Sequence, residues 1–493
     1  MTVEATLQRP RIWSTAKGIV LIMLAVVAIW FLSPLSPITI ALLAITALFF
    51  FGLKRPVWAM ASFLVSQLTV TSYIVNNPLG IPISLRLSLL ILVGLVLLRF
   101  RTHDKIELGP KAKRVLIPAL VLLGLGVVSN LINSGFDYAF KDFRNILAGL
   151  LVAIFLPLVI KDLKDLKVLL GVVFIGITAS ALVGLVQHYH FFGFGQKTLT
   201  SGFLQQWGDQ PRVPGLAESE LELSYTLCIA ALTVLGIFLT KGTNKSKRTL
   251  LGLSAVLMGL VLYFTYTRSA LLAIILGLVA LVLFIKTKVK PQIVLIGFIL
   301  VIAFIEIFGM RAGISLGGRS ASDQEESAVS RPILWQAGIA IAMDNPILGI
   351  GGNQFIKISP SYSDRVDPSL IQWEKERYWG FRTLGNEAIH NDFLNVWVSY
   401  GSFALIAYLV LLVAIIRNFH DSYRVSKNRF IKGLSIGLAA GLVAYAANAF
   451  YHNCLDTMPL MWILAGFSIG IFKITLKTKD QTQIPELPPG AGS

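Results

Sequence analysis

The chain is short of cysteine, charge and histidine, and each shortage excludes something. Its two cysteines, Cys228 and Cys454, build neither a disulfide framework nor a zinc site. Charged residues are 14% of the 493, where a soluble domain averages about 25%. That excludes a soluble enzyme, a disordered chain and a nucleic-acid module on a membrane tether. There is no Walker loop, so nucleotide hydrolysis is not expected. No Asp-x-Asp, His-x-x-Glu-His or cysteine cluster offers a cation site, so a metal-free, cofactor-free mechanism is expected. The six histidines are few enough to weigh singly.

What is abundant is apolar sequence, 55% of the chain. A membrane helix needs about 20 mostly apolar residues. Fourteen stretches approach this: 18–32, 37–53, 56–75, 83–100, 115–132, 145–160, 168–187, 221–240, 249–266, 269–285, 291–309, 393–416, 433–450 and 456–475. The expectation is an all-α polytopic integral membrane protein of about 12–14 transmembrane helices. No cleavage-site pattern precedes the first, which is expected to stay as an anchor.

The net charge of +17 could point to nucleic acid, but its distribution points elsewhere. With the N-terminus inside and the helices alternating, the inner segments hold 29 of the 43 basic and 8 of the 26 acidic residues. Every inner loop is basic, including Arg99, Arg101, Lys111, Lys113 and Arg114 before the fifth span and Arg417, Arg424 and Lys427 after the twelfth. This is the positive-inside signature of a membrane protein with cytoplasmic termini, with membrane lipids and not nucleic acid as its surroundings.

One connection is long. Residues 310–392 are predicted outside, and a structureless loop of that size is uncommon, so it is expected to carry function and structure of its own. Ile333, Leu334, Trp335, Ala337, Ile339, Ile341 and Ala342 give 331–345 the pattern of an amphipathic helix. Pro346 and the glycines Gly349, Gly351 and Gly352 stop it. The helix suits lying at the bilayer surface, or plugging the outer end of the bundle.

Basic residues that stay outside despite the sorting bias are candidates for binding an anion; a solvated arginine is the alternative. Arg212 sits in Arg212-Val213-Pro214-Gly215. Arg268 sits in Thr265-Tyr266-Thr267-Arg268-Ser269, a turn of almost no length between two apolar helices, which puts it at the membrane edge or in the bundle. Arg331 opens the amphipathic helix. A guanidinium is always charged and its planar fork fits phosphate oxygens. His390-Asn391-Asp392-Phe393 precedes the twelfth span; a neutral imidazole there could take a proton from an alcohol. The alternative is that Asn391 or Asp392 caps the helix. His452-Asn453 is a second outer His-Asn pair. His188 and His190, among Tyr189, Phe191 and Phe192, read as an aromatic belt. Glu218-Ser219-Glu220-Leu221-Glu222 reads as a capping box rather than a metal site.

Taken in order, five segments resemble the core of the bacterial O-antigen ligase and O-antigen polymerase family. They are Arg212-Val213-Pro214-Gly215; Thr265-x-Thr267-Arg268; Arg331-x-x-x-Trp335; Asn345-Pro346-x-Leu348-Gly349-x-Gly351-x-Asn353-x-Phe355; and His390-Asn391-x-Phe393-Leu394 with Gly401 after it. Thr267 replaces the family's usual Ser, and Glu218-Ser219 stands where the family often has Pro-Asn. The resemblance covers residues 205–415; the first 200 resemble the family only as a hydrophobic bundle.

The resemblance implies a metal-independent, inverting glycosyltransferase at the outer leaflet of the inner membrane. Its donor would be a glycan on undecaprenyl diphosphate and its acceptor a sugar hydroxyl or a lipid-linked glycan, with polysaccharide-export or chain-length-control proteins as further partners. His390 matches the family's essential histidine, Arg212 and Arg268 its essential arginines, and Arg331 a further recurrent position. Trp335 and Asn391 are candidate substrate-binding residues. The implied domains are 1–200, N-terminal helices; 201–416, catalytic core; 417–479, C-terminal helices; and 480–493, a disordered cytoplasmic tail. Polymerisation of repeat units is favoured over ligation onto lipid A–core or transfer onto protein. The rival from another class is a flippase for the same lipid-linked glycan.

Overall fold

The computed structural model describes residues 55–69, 90–91, 93–97, 108–189, 206–207, 210–217, 219–240, 244–285, 321–378, 383–457 and 459–481. The expected spans 18–32, 37–53 and 291–309, and most of 83–100, lie outside the described residues, as do His190, Glu218 and the tail after Gln481.

The described chain is almost wholly helical. Helices α1 (Pro56–Thr69), α2 (Ala112–Asn133), α3 (Phe136–Val159) and α4 (Leu163–His188) lead to a two-residue antiparallel ladder, Gln206–Trp207 against Gln210–Pro211. Then come α5 (Glu220–Leu239), α6 (Lys245–Phe264) and α7 (Arg268–Phe284). A second set follows: α8 (Ala321–Asp344), α9 (Phe355–Ile358), a 3-10 turn (Ser359–Arg365), α10 (Pro368–Tyr378) and α11 (Asp392–Tyr400). The chain ends with α12 (Ser402–Val425), α13 (Arg429–Ala449), α14 (Cys454–Thr457) and α15 (Leu460–Gln481). Among the described residues, eight helices are long and apolar enough to cross a bilayer: α2 to α6, α12, α13 and α15. The protein is a multi-pass membrane protein.

Helix α13 is the axis of the bundle. Gly433, Gly437 and Gly441 recur every four residues and so share one face. A Cβ on Gly437 would lie 2.6 Å from the Thr233 Cα, so α5 and α13 touch backbone to backbone. Small residues allow such an approach where lipid supplies no hydrophobic drive for association. Phe403, Ile406, Leu409, Val410 and Val413 leave an exposed apolar stripe along α12, the side suited to acyl chains.

The two ends of the bundle differ. At one, Lys111 and Arg114 at the start of α2 both reach Asp421 near the end of α12, Arg114 at 2.9 Å. Nearby in kind, Lys473 donates to the Pro157 carbonyl (2.8 Å), one of the orphan carbonyls at the end of α3.

The other end carries the second set of helices, with a core of its own. Ile333, Leu334, Ala337, Ile341 and Ala342 of α8 pack with Ile350, Phe355, Ile371, Leu384 and Val398. The apolar face of the amphipathic helix is therefore turned into this second core. The Asn345–Gly352 segment does more than stop the helix. Ile350 and Gly351 donate from their backbone N–H groups to the carbonyls of Val398 and Ser399 (both 2.9 Å). Gly352 N–H donates to Asn130 Oδ1 (2.6 Å), and Asn130 Nδ2 donates in turn to buried Asp142 (2.9 Å). Tyr400 OH donates to the same carboxylate (2.7 Å). Ser129 Oγ meets the carbonyls of Leu348 and Ser399. The motif is a clamp that fixes the loop domain to α2 and α3.

The expected span 393–416 is two helices. Gly401 adopts φ 86, a conformation L side chains rarely take, and a Cβ there would collide with the Ile347 backbone. Helix α11 consequently belongs to the loop domain, and the span begins at Ser402.

Candidate active site

The site starts from the turn between α6 and α7. Tyr266, at φ 50, lets the chain reverse within a few residues, and α7 begins directly at Arg268. Arg268 is exposed at the first turn of its helix. Arg212 holds this turn from behind: Nε donates to the Thr265 carbonyl (3.1 Å) and a terminal nitrogen to Thr267 Oγ1 (3.2 Å). Its other terminal nitrogen pairs with Glu220 at 2.6 Å. Arg212 and Glu220 are both buried, and burial lowers the arginine pKa against the pull of Glu220.

Glu220 was legible only as part of an acidic capping run. That capping is present: Ser219 Oγ accepts from the Glu222 N–H (3.3 Å). Its partnership with Arg212 spans a loop and carries no local signature. His188 stacks on Phe264 with ring centroids 3.6 Å apart, beside Tyr189, in keeping with an aromatic packing role.

Arg331, half-buried on α8, has its guanidinium over the Tyr451 ring at 5.5 Å. Burial lowers its pKa most; Tyr225, Tyr451 and Glu387 act the other way, and Arg268 adds to the lowering. Arg268 and Arg331, 63 positions apart in sequence by their numbers, are thus electrostatic neighbours that repel each other. Like charges held together favour an anion between them.

His390 also lies within electrostatic reach of Arg331. It is half-buried, at φ 54, a left-handed conformation that a non-glycine residue holds only when its surroundings fix it. Trp335 is one such fixture: its Nε1–H donates to the Ile389 carbonyl (3.1 Å). Asn391 is another. Its Oδ1 caps α11 by accepting from the Leu394 N–H (3.0 Å), and its own N–H donates to Asn453 Oδ1 (3.0 Å). The capping alternative for Asn391 is therefore realised. Asp392, fully buried, accepts from the Leu455 N–H at 2.9 and 3.1 Å and from the hydroxyls of Tyr408 and Tyr445. Burial pushes the His390 pKa down, and the Arg331 charge pushes it further, so the imidazole is neutral near pH 7.

The arrangement can do two things. Arg268 and Arg331 form a cationic edge suited to a diphosphate, and His390 beside them is a neutral base. Of the residues singled out in the sequence, Arg331 links Arg268 to His390. Arg212 lies behind the Thr265–Thr267 turn, while Trp335 and Asn391 hold the His390 backbone. Sequence reasoning gave Asp392 and Glu220 only helix-capping readings and left Tyr225 without a role. Tyr225 lies near both Arg212 and Arg331, and its ring is 5.8 Å from that of His452.

A multi-pass membrane protein with a clamped loop domain that carries Arg331 and His390 is the class that the fold defines. Residues 253–409 match the model of a family described as O-antigen ligase. The matched segment includes Arg268, Arg331, Trp335, the Asn345–Gly352 clamp and His390, so the resemblance read from these motifs holds. Residues 38–202 match a family of unknown function. No curated protein matches the chain. The family's work is glycosyl transfer in O-antigen assembly.

Proposed function

We propose that the protein transfers a glycan from undecaprenyl diphosphate to an acceptor sugar hydroxyl at the extracytoplasmic face of the cytoplasmic membrane, joining repeat units of a surface polysaccharide. The observation that carries this reading is that Arg331 lies within electrostatic reach of both Arg268 and His390, which brings cations for a leaving group near a base.

The donor is already activated, because a diphosphate is a good leaving group. His390 takes the proton of the acceptor hydroxyl as that oxygen attacks the anomeric carbon. The bond from that carbon to the diphosphate oxygen breaks on the opposite side, which inverts the centre, and undecaprenyl diphosphate departs with the bonding pair. Arg268 and Arg331 meet the charge that gathers on it; fixed charges of this kind are often the largest catalytic contribution. The base is worth typically about 10²–10⁴-fold. Arg212 acts through the turn it grips, setting the direction of Arg268. The mechanism asks for no metal.

Sidedness follows from charge. Lys111, Arg114, Arg417 and Arg424 gather at the bundle end away from the site, which suits a cytoplasmic face and an extracytoplasmic site. The proposed catalytic core, 201–416, lies between N-terminal helices, 1–200, and C-terminal helices, 417–479, with the tail 480–493 cytoplasmic.

The test is turnover. Protein in nanodiscs, given lipid-linked repeat unit and no ion gradient, should produce a ladder of longer glycans and free undecaprenyl diphosphate. Donor binding with no change in glycan length, also in the presence of lipid A–core, would reject the enzyme reading in favour of transport.

A further inference from the structure

Helices α13 and α14 are joined by Phe450, Tyr451, His452 and Asn453, which lie beyond the family-matched segment. The connector and the start of α14 are each tied to the segment that follows His390. Asn453 Oδ1 accepts from the Asn391 N–H (3.0 Å), and the Leu455 N–H donates to Asp392 (2.9 Å). Asn391 and Asp392, the two residues after His390, are thus held to the connector and α14, and the connector's rings have fixed positions relative to the base.

Those rings form a row. Phe450 is 45% exposed, although Trp335 meets it edge-on at 5.3 Å and Tyr451 at 5.5 Å. Tyr451 carries the Arg331 guanidinium. His452 faces His390, ring centroids 6.3 Å apart and nearly perpendicular. At that separation one hydroxyl lying beside both rings can come within hydrogen-bond reach of a nitrogen on each. The exposed Phe450 ring thus continues into Tyr451, which adjoins a guanidinium, and into His452, which adjoins a second imidazole. Pyranoses offer apolar C–H faces to aromatic rings and hydroxyls to polar groups, and pockets that bind such ligands combine both kinds of surface.

We propose that the Phe450–Asn453 connector is the acceptor subsite, holding a pyranose against Phe450 and Tyr451 while His452 receives the hydroxyl presented to His390. The inference rests on the reading of His390 as the base. It assigns the acceptor, and not the donor, because the hydroxyl between the two imidazoles is the one that must lose its proton. His452 is a positioning residue for that hydroxyl.

The experiment separates the two substrates. Repeat-unit oligosaccharide freed of its lipid, and undecaprenyl diphosphate alone, are each titrated into protein in nanodiscs. Phe450→Leu keeps an apolar side chain and His452→Gln keeps a hydrogen-bonding one, so both variants should fold with an unchanged thermal midpoint. Each should weaken oligosaccharide binding about tenfold, as expected for losing one good contact, and leave undecaprenyl diphosphate within about twofold. In transfer assays the same variants should raise the acceptor KM with little change in kcat. Undiminished oligosaccharide binding, or equal weakening of both ligands, would overturn the subsite. A wild-type protein that binds oligosaccharide through these residues yet transfers nothing would instead overturn the enzymatic reading and leave the subsite standing.

Discussion

The carboxylate of Glu220 lies 2.6 Å from the guanidinium of Arg212, and neither residue reaches solvent to any extent. A cation that the motif alone would aim at substrate is therefore balanced inside the protein, and its remaining donors hold the Thr265–Thr267 turn. Removing one member of a buried pair leaves an uncompensated charge, which costs about 3–5 kcal/mol.

Glu220→Gln should accordingly lower thermal stability in nanodiscs by an amount in that range and reduce transfer with it. Arg212→Lys should keep most of the stability, because the charge remains. It should lose transfer, because a point charge cannot grip Glu220, Thr265 and Thr267 together. Full activity in Arg212→Lys would mean that the turn holds Arg268 without help.

The pH profile tests the base. His390 has its pKa pulled below the ordinary 6.5 by burial and by Arg331. Only the unprotonated imidazole can take a proton, so a lowered pKa keeps the enzyme active further into acid. The acid limb of transfer rate against pH should have its midpoint below 6.5. Arg331→Gln removes a cation that disfavours imidazolium, so its midpoint should move up in pH even if the rate falls. A limb that does not move would uncouple Arg331 from His390.

The clamp makes a third prediction. A Cβ on Gly352 would run into the Asp142 carboxylate and lie 3.2 Å from Asn130 Oδ1. Gly352→Ala should loosen the loop domain from α2 and α3, with a cost of about 1–3 kcal/mol for overpacking. Limited proteolysis should then cut faster around 345–355 than in wild type. Unchanged cleavage would show that the loop domain is held elsewhere.

Hydropathy made the spans legible, since about 20 apolar residues are needed whatever the fold. It failed at Gly401, where apolar sequence runs on through 393–416 while the backbone breaks, because composition carries no record of the close approach of Ile347. Motif chemistry located Arg268, Arg331 and His390. It could not separate buried Arg212 from exposed Arg268 and half-buried Arg331, because the Glu220 pairing depends on how a loop folds back. The amphipathic pattern of 331–345 identified an apolar face but not what covers it; the covering residues Ile371, Leu384 and Val398 are far along the chain. The Asn345–Gly352 glycines read as a helix stop, while their tie to Asp142 and Tyr400 is tertiary. His452 was visible as a second His-Asn pair, and only the fold turns it towards His390.

The central claim is that His390 deprotonates an acceptor held beside a diphosphate. His390→Ala, in nanodiscs with lipid-linked repeat unit, measures it most directly. The account predicts transfer reduced by about 10²-fold or more with undecaprenyl-diphosphate binding retained. Transfer at the wild-type rate in that variant would contradict it.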